Sequence, residues 1–408
     1  MEHVMPKRNA ISRFILTFLR TMSGNPRVMV LIEPSRAYER ALLRGIAHYS
    51  HLHGPWIFSR EAPFWERSPH RTLLDQMAAV DGVITRESPD LSTILKLGKP
   101  TIVSNVATER IGGLPNIVSD HTAIGRMAAE HLIERGFRNF AFCGYVNLFW
   151  SDQRCEGFRN RIREDGGLVH VYGASQSRRR LSWKKELPLV TDWLKSLPKP
   201  VGLMACIDER SQQLADACQS VGIAIPEQVA IVGVDNDDMI CTLSTIPLSS
   251  VATDAEKGGY EAARLLDTLM KGRRSSQKFI QIKPTHIVMR TSTDIMAAED
   301  PHVSKATKYI GDRCRYPLYV DEVARVAGLS RRVLEKRFRA QLDRSVNGHI
   351  RRCRVHLIER LLTEDNMTIA EIALFMGFPD AAHIARYFRQ ETGISPAGYR
   401  RQHHLVNS

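Results

Sequence analysis

Two short helix pairs near the carboxyl end of this 408-residue chain repeat the same turn chemistry and constrain the fold more than any other feature. In each pair an Ala lies four residues before a Gly: Ala324 before Gly328, and Ala373 before Gly377. The small Ala lets a second helix cross closely, and the Gly supplies the left-handed backbone of a sharp turn. This spacing is typical of a helix-turn-helix. The repeat therefore predicts two such motifs, at about residues 320–341 and 369–392.

Each motif continues into a second helix that carries arginine and an apolar pair. Ser330 and Asp380 occupy the positions at which an N-cap would begin these helices. The apolar pairs at i, i+4 spacing are Leu334 with Phe338 and Ile384 with Phe388. An ordinary helical bundle with glycine-containing turns is the alternative, and the repetition of all these features disfavours it.

The basic charge of the chain is concentrated in the same region. Residues 301–408 contain 19 Lys and Arg against 11 Asp and Glu, a net of +8 out of +13 for the whole chain, and 16 of the 19 are Arg. Residues 1–26 contribute 4 basic residues against 1 acidic, which leaves +2 for the 274 residues between. A solvated basic face is one explanation. The coincidence with the two motifs instead indicates neutralisation of nucleic-acid phosphates.

The outward positions of the two second helices are candidate DNA contacts. They are Arg331, Arg332, Glu335 and Lys336 on the first helix, and Ala381, Ala382, His383 and Arg386 on the second. Arg can donate two hydrogen bonds to guanine, Glu can accept from cytosine, and Ala can contact a thymine methyl group. For Arg332 and Arg386, a phosphate contact without base reading is the alternative.

A connector between the motifs is predicted to be helical over residues 346–362. Its apolar residues recur with a helical period at Val346, Ile350, Cys353, Leu357 and Leu361. Such a helix is about 25 Å long. It would hold the two second helices in successive major grooves, about 34 Å apart. Arg351, on this connector, is predicted to contact phosphate only.

From residue 27 onward the pattern is one of short apolar runs that alternate with amphipathic stretches. Strands are predicted at 28–32, 82–85, 101–104, 140–143, 202–206 and 229–234, and helices at 40–50, 122–135, 154–163, 211–221 and 255–270. This alternation predicts parallel sheets covered by helices on both faces. Neither phosphate-binding glycine loops nor a Gly-x-Ser-x-Gly elbow occur in the sequence, which counts against a dinucleotide enzyme, an NTPase and an α/β-hydrolase.

The cysteines and the N-terminal residues indicate the cellular compartment of the protein. Seven cysteines without a Cys-x-x-Cys motif indicate a reducing compartment and no zinc site. Residues 1–26 are basic and partly apolar, but Arg13 and Arg20 interrupt the apolar stretch, so a poorly ordered extension is expected rather than a secretion signal. No apolar stretch reaches transmembrane length.

The second motif resembles the DNA-binding signature of the AraC/XylS family. The matching residues are Ile372-Ala373, Gly377-Phe378, Arg386-x-Phe388, Gly393, Pro396 and Tyr399-Arg400. Upstream phrases resemble the sugar-binding domain of LacI family repressors, which is related to periplasmic binding proteins, although the LacI-type N-terminal headpiece is missing. These phrases include Val118-Ser119-Asp120, Arg154-Cys155-Glu156-Gly157-Phe158, Ala205-Cys206-Ile207-Asp208, Ile231-Val232-Gly233-Val234-Asp235-Asn236 and Arg290-Thr291-Ser292-Thr293.

The two resemblances imply a domain order. A two-lobed, periplasmic-binding-protein-like α/β sensor would occupy residues 27–296, a linker 297–304, and an all-α DNA-binding domain 305–402. A sugar site in such a sensor would lie beyond the carboxyl ends of the strands, between the lobes. Asp208 and Asp235 each follow a strand, Arg154 opens a helix, and by resemblance these three fall on ligand-contact positions. The other predicted ligand residues are Tyr38, Glu39, Arg40 and, as a stacking wall, Trp150. A helix cap or an ion pair is the alternative for Arg154, Asp208 and Asp235.

This combination of domains resembles one group in particular, the bacterial activators of xylose operons. The resemblance implies a cytoplasmic, sugar-responsive transcription activator that binds D-xylose, forms a homodimer, binds direct-repeat half-sites in double-stranded DNA and contacts RNA polymerase, without a cofactor, a metal or a membrane. Another pentose or a uronic acid is the nearest alternative effector. A sugar-handling enzyme with a DNA-binding tail is disfavoured, because the candidate carboxylates come with no positioned nucleophile or cofactor loop.

Overall fold

The computed structural model describes residues 24–60, 80–88, 90–104, 111–172, 182–295, 300–342, 344–364 and 367–403. The chain forms two compact units. The first comprises the chain up to Asp120 together with Asp254–Lys283, and the second comprises His121–Thr253 together with the chain from Pro284. The predicted N-terminal extension lies outside the described residues as far as residue 23.

Strands and helices alternate through most of the described chain before residue 296. The strands are β1 Arg27–Leu31, β2 Ile57–Arg60, β3 Gly82–Arg86, β4 Thr101–Ser104, β5 Asn116–Ser119, β6 Asn139–Cys143, β7 Val169–Tyr172, β8 Val201–Ala205, β9 Val229–Val234, β10 Ser249–Thr253, β11 Phe279–Ile282 and β12 Pro284–Val288. The helices are α1 Ala37–His53, α2 Leu91–Leu95, α3 His121–Glu134, α4 Phe149–Glu164, α5 Trp183–Ser196, α6 Asp208–Ser220, α7 Asp238–Leu243 and α8 Ala255–Met270.

The first unit is built on a six-stranded sheet with the order β11-β5-β4-β3-β1-β2. All its strand pairs are parallel. The inner strands are continuous apolar runs because helices cover them: β3 and β4 are almost wholly buried, and Ile84 and Ile102 lie in the core.

The second unit contains a sheet with the order β12-β10-β9-β8-β6-β7. Its pairs are parallel, except that β12 runs antiparallel to β10 at one edge. Every residue of β8 and β9 is buried. The predicted parallel α/β architecture is therefore confirmed for the residues upstream of 296.

Glycines allow two pairs of helices to approach until their backbones touch. In the second unit, a Cβ on Gly125 of α3 would lie 2.1 Å from the carbonyl oxygen of Arg154, and a Cβ on Gly157 of α4 would lie 2.1 Å from that of Thr122. In the first unit, α1 and α8 meet in the same way at Gly45. No larger residue fits these contacts without moving a backbone.

The carboxyl-terminal part of the second unit is helical. Its helices are α9 Pro301–Arg313, α10 Val320–Ala327, α11 Arg331–Leu342, α12 Val346–Glu364, α13 Ile369–Phe375, α14 Ala381–Thr392 and α15 Pro396–His403. Both predicted helix-turn-helix motifs are present, as α10 with α11 and as α13 with α14. The predicted linker 297–304 is too long, because Asp300 caps α9 by accepting from the backbone of His302 and Val303, and helix has begun by Pro301.

The two turns have the same geometry. Gly328 has φ of 72° and Gly377 has φ of 73°, both in the left-handed region. The residue after each Gly donates its N–H back to the Ala five residues earlier, which satisfies a carbonyl at the end of the first helix. These bonds run from Leu329 to Ala324 at 3.0 Å and from Phe378 to Ala373 at 2.8 Å.

The connector α12 is shared by two hydrophobic cores. Its first half contributes Val346 and Ile350 to the core of the first motif. Its second half contributes Val355, Ile358 and Leu362, among others, to the core of the second. The apolar stripe predicted for this helix is correct at its start, but Cys353 and Leu357 are only partly buried, because the buried face changes between the two cores.

Replacement of Gly125 by Ala tests the contact between α3 and α4. The added methyl group would meet a backbone oxygen, so we expect the free energy of unfolding to fall by about 1–3 kcal/mol. Gly311→Ala, in α9, is the matched control because a Cβ there meets nothing within 4 Å. Its helix should gain about 0.5–1 kcal/mol. Urea denaturation of both variants measures the difference, and equal stabilities would contradict the close packing.

Candidate functional site

The guanidinium of Arg154 is the centre of a buried polar cluster in the second unit. Arg154 lies on α4, and its Nη1 donates to the carbonyl oxygen of Cys206 at 2.5 Å. Its Nη2 donates to the carboxylate of Asp235 at 3.3 Å. The ring of Trp150, one turn earlier on α4, lies 5.3 Å from the guanidinium carbon. The structure thus brings together three of the predicted ligand residues.

The backbone at Asp235 is strained. Asp235 has φ of 96° and Asn236 has φ of 48°, a conformation that L-residues seldom adopt. Two hydrogen bonds hold this turn after β9: Asp235 N–H donates to the carbonyl of Val251 at 3.0 Å, and Asn236 N–H donates to the hydroxyl of Ser250 at 3.0 Å. Such strain occurs more often at ligand sites than elsewhere. It directs the Asp235 side chain toward Arg154.

Asp208 has a different environment from that of Asp235. Its side chain is buried at the start of α6, where its carboxylate accepts from the backbone N–H of Asp237 at 2.7 Å and from the hydroxyl of Ser250 at 2.6 Å. Burial raises the pKa of Asp208 to about 8, against these hydrogen bonds, which lower it. The carboxyl group therefore supports the loop that carries Asp235. A direct contact between Asp208 and a sugar stays a prediction.

Unsatisfied polar atoms surround Arg154. Within the part of the chain that the structure describes, His121 Nδ1, Arg154 Nε and Asn236 Oδ1 are buried without a hydrogen-bond partner. His121 is the first residue of α3, and its ring centre lies 6.1 Å from that of Phe149. Burial, and then the charge of Arg154, lower the pKa of His121 well below its usual value, so this imidazole is neutral. These donors and acceptors are suited to a ligand that carries hydroxyl groups.

The other predicted ligand residues belong to the first unit. Tyr38, Glu39 and Arg40 lie in the first turn of α1 and are partly buried. The hydroxyl of Ser119 donates to the Tyr38 oxygen at 3.3 Å, and Arg40 donates to the carbonyl oxygen of Ser35 at 2.9 Å. Arg40 therefore stabilises the loop after β1, and its role in sugar binding stays a prediction.

The first motif presents a strongly basic helix. Arg332 and Lys336 are exposed on α11, and Arg331 is exposed beside Asp321, at 3.3 Å. Glu335 differs from the other predicted DNA contacts, because its carboxylate accepts from the backbone N–H of Val346 at 3.4 Å. It thereby caps the start of α12 as well as facing outward in part.

The second motif has a less charged surface. Asp380 caps α14 by accepting from the backbone N–H of His383 at 2.9 Å, and it also contacts the His383 ring at 2.9 Å. Ala382 and Arg386 are exposed, whereas Ala381 is partly buried. All eight predicted DNA-contact residues therefore lie on the two second helices, and their contacts with bases stay predictions.

The arginines of α12 do not share one role. Arg351 is half-exposed and forms an ion pair with Glu391 at 3.3 Å, so its predicted phosphate contact competes with this pair. Arg354 is buried and donates to the carbonyl oxygens of Cys314 at 3.0 Å and Met376 at 2.9 Å. It thereby joins the two motifs. The sequence alone does not show that Arg351 is exposed and Arg354 is buried.

The described residues contain neither a metal-binding cluster nor a membrane-spanning helix. Among them, no group of three or more His, Cys, Asp and Glu is placed to hold a metal ion. In the same residues, no helix has both the length and the apolar composition that a membrane span requires.

Comparison with known families identifies both parts of the chain. Residues 129–293 match the periplasmic binding protein-like domain, and residues 323–402 match a helix-turn-helix domain. The xylose operon regulatory protein of Haemophilus influenzae is 29% identical over 92% of this chain and 98% of its own length. The protein of the same name from Escherichia coli K12 is 28% identical over 92% of this chain and 96% of its own.

Solved structures give the same relationship. The structure of a xylose-binding transcription activator, XylR, has a TM-score of 0.60 and 26% identity, and it covers 92% of this chain and 98% of its own. A LacI family regulator from Enterococcus faecalis with bound ribose has a TM-score of 0.53 at 21% identity over 67% of this chain and 100% of its own, and shows the fold of the upstream region. This chain therefore carries a region that is similar to the periplasmic binding protein-like domain, followed by a region that is similar to a helix-turn-helix domain.

Proposed function

We propose that this chain is a sugar-responsive transcription activator whose effector is D-xylose. The observation that carries the proposal is the cluster around Arg154, where buried donors and acceptors have no hydrogen-bond partner among the described residues and adjoin an aromatic ring. This cluster lies in the same compact unit as the two helix-turn-helix motifs. A monosaccharide offers hydroxyls in fixed directions and apolar ring faces, and both kinds of group have counterparts here. The relatives, which are named for xylose operons, support the choice of sugar.

Within this proposal, Arg154, Asp235, His121 and Asn236 bind hydroxyl groups of the sugar. Asp235 accepts hydrogen bonds, and the guanidinium of Arg154 donates to ring or hydroxyl oxygens. The strained turn at Asp235 and Asn236 fixes the direction of both side chains before the sugar arrives, which lowers the entropy lost on binding. Tyr38, Glu39 and Arg40, in the first unit, are proposed as further sugar-binding residues. Another pentose or a uronic acid is the alternative effector.

On the DNA side, α11 and α14 are proposed to enter successive major grooves of a direct-repeat half-site, with α12 between them. The chain is proposed to act in the cytoplasm as a homodimer that recruits RNA polymerase. The enzyme alternative is not favoured, because the named relatives are regulators of transcription. Turnover of sugar by the purified protein would restore it.

Substitutions of Asp235 and Asp208 distinguish a residue that binds the sugar directly from one that supports the binding loop. Asp235→Ala removes a hydrogen-bond acceptor and leaves Arg154 without its ion pair. The free energy of D-xylose binding should therefore weaken by about 1–3 kcal/mol, which raises the dissociation constant about 5- to 150-fold. Asp208→Asn resembles the protonated carboxyl group and should change the affinity less than about threefold at neutral pH. Isothermal titration calorimetry measures both, with Asp216→Ala on the exposed face of α6 as the control. An equal loss in the Asp208 variant would place that residue among the direct contacts.

Arg332 tests base reading by α11. Arg332→Ala should relax the preference at particular base pairs by about 1–3 kcal/mol, because a guanidinium donates two bonds to guanine. Arg332→Lys keeps the charge but loses this geometry, so it should relax the same base pairs while largely retaining the salt dependence of binding. Selection of binding sites from random DNA at two salt concentrations distinguishes these effects. An unaltered preferred motif in both variants would show that Arg332 contacts phosphate only.

The proposed homodimer can be tested with the intact chain. Sedimentation should give twice the chain mass of 46.2 kDa. Deletion of one half-site from the operator should lower the affinity about 10²-fold or more, because the second DNA-binding domain then loses its effective concentration. Equal affinity for one and two half-sites, measured by fluorescence anisotropy, would contradict the dimer.

A further inference from the structure

Helix α3 extends from the cluster around Arg154 to the DNA-binding helices. Its first residue is His121, whose Nδ1 is one of the unpartnered buried atoms described above, and its last is Glu134. Fourteen residues of α-helix span about 21 Å. Both ends lie in the second compact unit, so a single rigid element connects the two candidate sites.

The carboxyl end of α3 contacts α12 and the residues just before it. The Glu134 carboxylate accepts from Nη2 of Arg352 at 2.6 Å, and the Glu134 carbonyl oxygen accepts from Nη2 of Arg344 at 3.3 Å. The last carbonyls of a helix have no partner within the helix and carry a partial negative charge, so arginines stabilise this end. We call Glu134, Arg344 and Arg352 the junction.

The residue after α3 makes further contacts on the sensor side. Arg135 is buried and its guanidinium contacts the sulfur of Met289 and lies 3.8 Å from the Asp294 carboxylate. Burial lowers the pKa of Arg135, and the carboxylate of Asp294 partly offsets this. The chain at the end of α3 is therefore held on one side by its own domain and on the other by α12.

The contact between α3 and α4 restricts how the two helices can move. Because Gly125 and Gly157 bring the backbones of α3 and α4 into contact, α3 cannot slide along α4 without a clash with a carbonyl oxygen. Arg154 is on α4 and His121 is on α3, so a ligand that contacts both would act on the pair as one body. A displacement of this body would include Glu134, the last residue of α3.

The junction is suited to a change of arrangement. The Arg352 and Glu134 side chains are 39% and 57% exposed, so their ion pair contributes little and can exchange for water. In addition, Arg344 Nη1 and His349 Nδ1, both in the described region, are buried there without a hydrogen-bond partner. A second arrangement could provide these atoms with partners, which favours two states of similar stability.

We propose that α3 couples the sugar site to the DNA-binding domain, and that the junction contacts belong to one of its two functional states. Glu134 and Arg352 are then positioning residues that act on DNA affinity through α12, the helix shared by both motifs. This inference rests on the proposed sugar response. Its own prediction is that loss of the junction uncouples the two sites without removing either binding activity.

The test uses the full chain with Glu134→Ala, with Arg352→Ala and with both changes together. Calorimetry measures D-xylose affinity in the absence and presence of saturating operator, and anisotropy measures operator affinity with and without D-xylose. We expect each variant to bind both ligands while the sugar-dependent change in operator affinity falls at least about fivefold, the lower end of ordinary allosteric coupling. The double variant should lose no more than either single variant, because all three remove the same contact.

Coupling between the two sites acts in both directions, whereas a local effect on DNA binding does not change the sugar affinity. The operator-dependent change in sugar affinity should decrease by the same factor in each variant. Arg126→Ala is the control, because it removes an exposed ion pair of the same helix, to Glu164 at 2.7 Å, away from the junction. Variants that retain the wild-type sugar response, with sugar binding intact, would overturn the coupling role. A wild-type chain that binds no sugar in a panel of pentoses, hexoses and uronic acids would overturn the proposed function, and the coupling role with it.

Discussion

The contact between the backbones of α3 and α4 is the constraint on which the rest of the second unit depends. Each helix supplies one glycine, Gly125 or Gly157, and each glycine faces a carbonyl oxygen of the other helix, so the two are interlocked and not only packed by side chains. Side-chain packing tolerates small shifts through rotamer changes, whereas a backbone contact does not. The positions of Arg154 at one end and Glu134 at the other are consequently set by the same contact.

Two buried arginines in this unit show how a satisfied ion pair differs from the candidate ligand site. Arg210 donates to both oxygens of Glu186, at 3.1 and 2.7 Å, and three aromatic rings surround it within 5.7 Å, so its charge is satisfied by the protein. Arg154 has one carboxylate contact at 3.3 Å, and its Nε has no partner among the described residues. A buried charge that is only partly compensated is costly. The strained turn at Asp235 adds to this cost, and a ligand would offset both.

The sequence predicts those elements whose pattern depends on burial alone. Helix α8 begins and ends where its amphipathic period predicts, at residues 255 and 270, and the wholly buried β9 is predicted to the residue. Six strands of the described chain are not predicted, and four of them (β2, β7, β11 and β12) lie at sheet edges, where partly exposed residues replace a continuous buried apolar run. The other two, β5 and β10, are inner strands that contain polar residues. His121 gives no local signal, since its role depends on Arg154, which is 33 residues away in the sequence. The sequence does not show which arginine of residues 351–354 is buried. Arg354 is buried and Arg351 is exposed because the buried face of α12 changes between the two cores.

The first helix-turn-helix motif contacts the α/β region more directly than the second motif does. Arg344 and Arg352 hold the first half of α12, next to the core that α11 shares, whereas the second motif is linked to the first through Arg354 and the carbonyls that it contacts. Helix α11 is also the more basic of the two second helices, and its exposed arginine and lysine have the chemistry to form direct hydrogen bonds with bases. The alanines of α14 can form only apolar contacts there. Under the proposed coupling, a shift of Glu134 would therefore act first on the first motif, whose second helix is the more basic of the two.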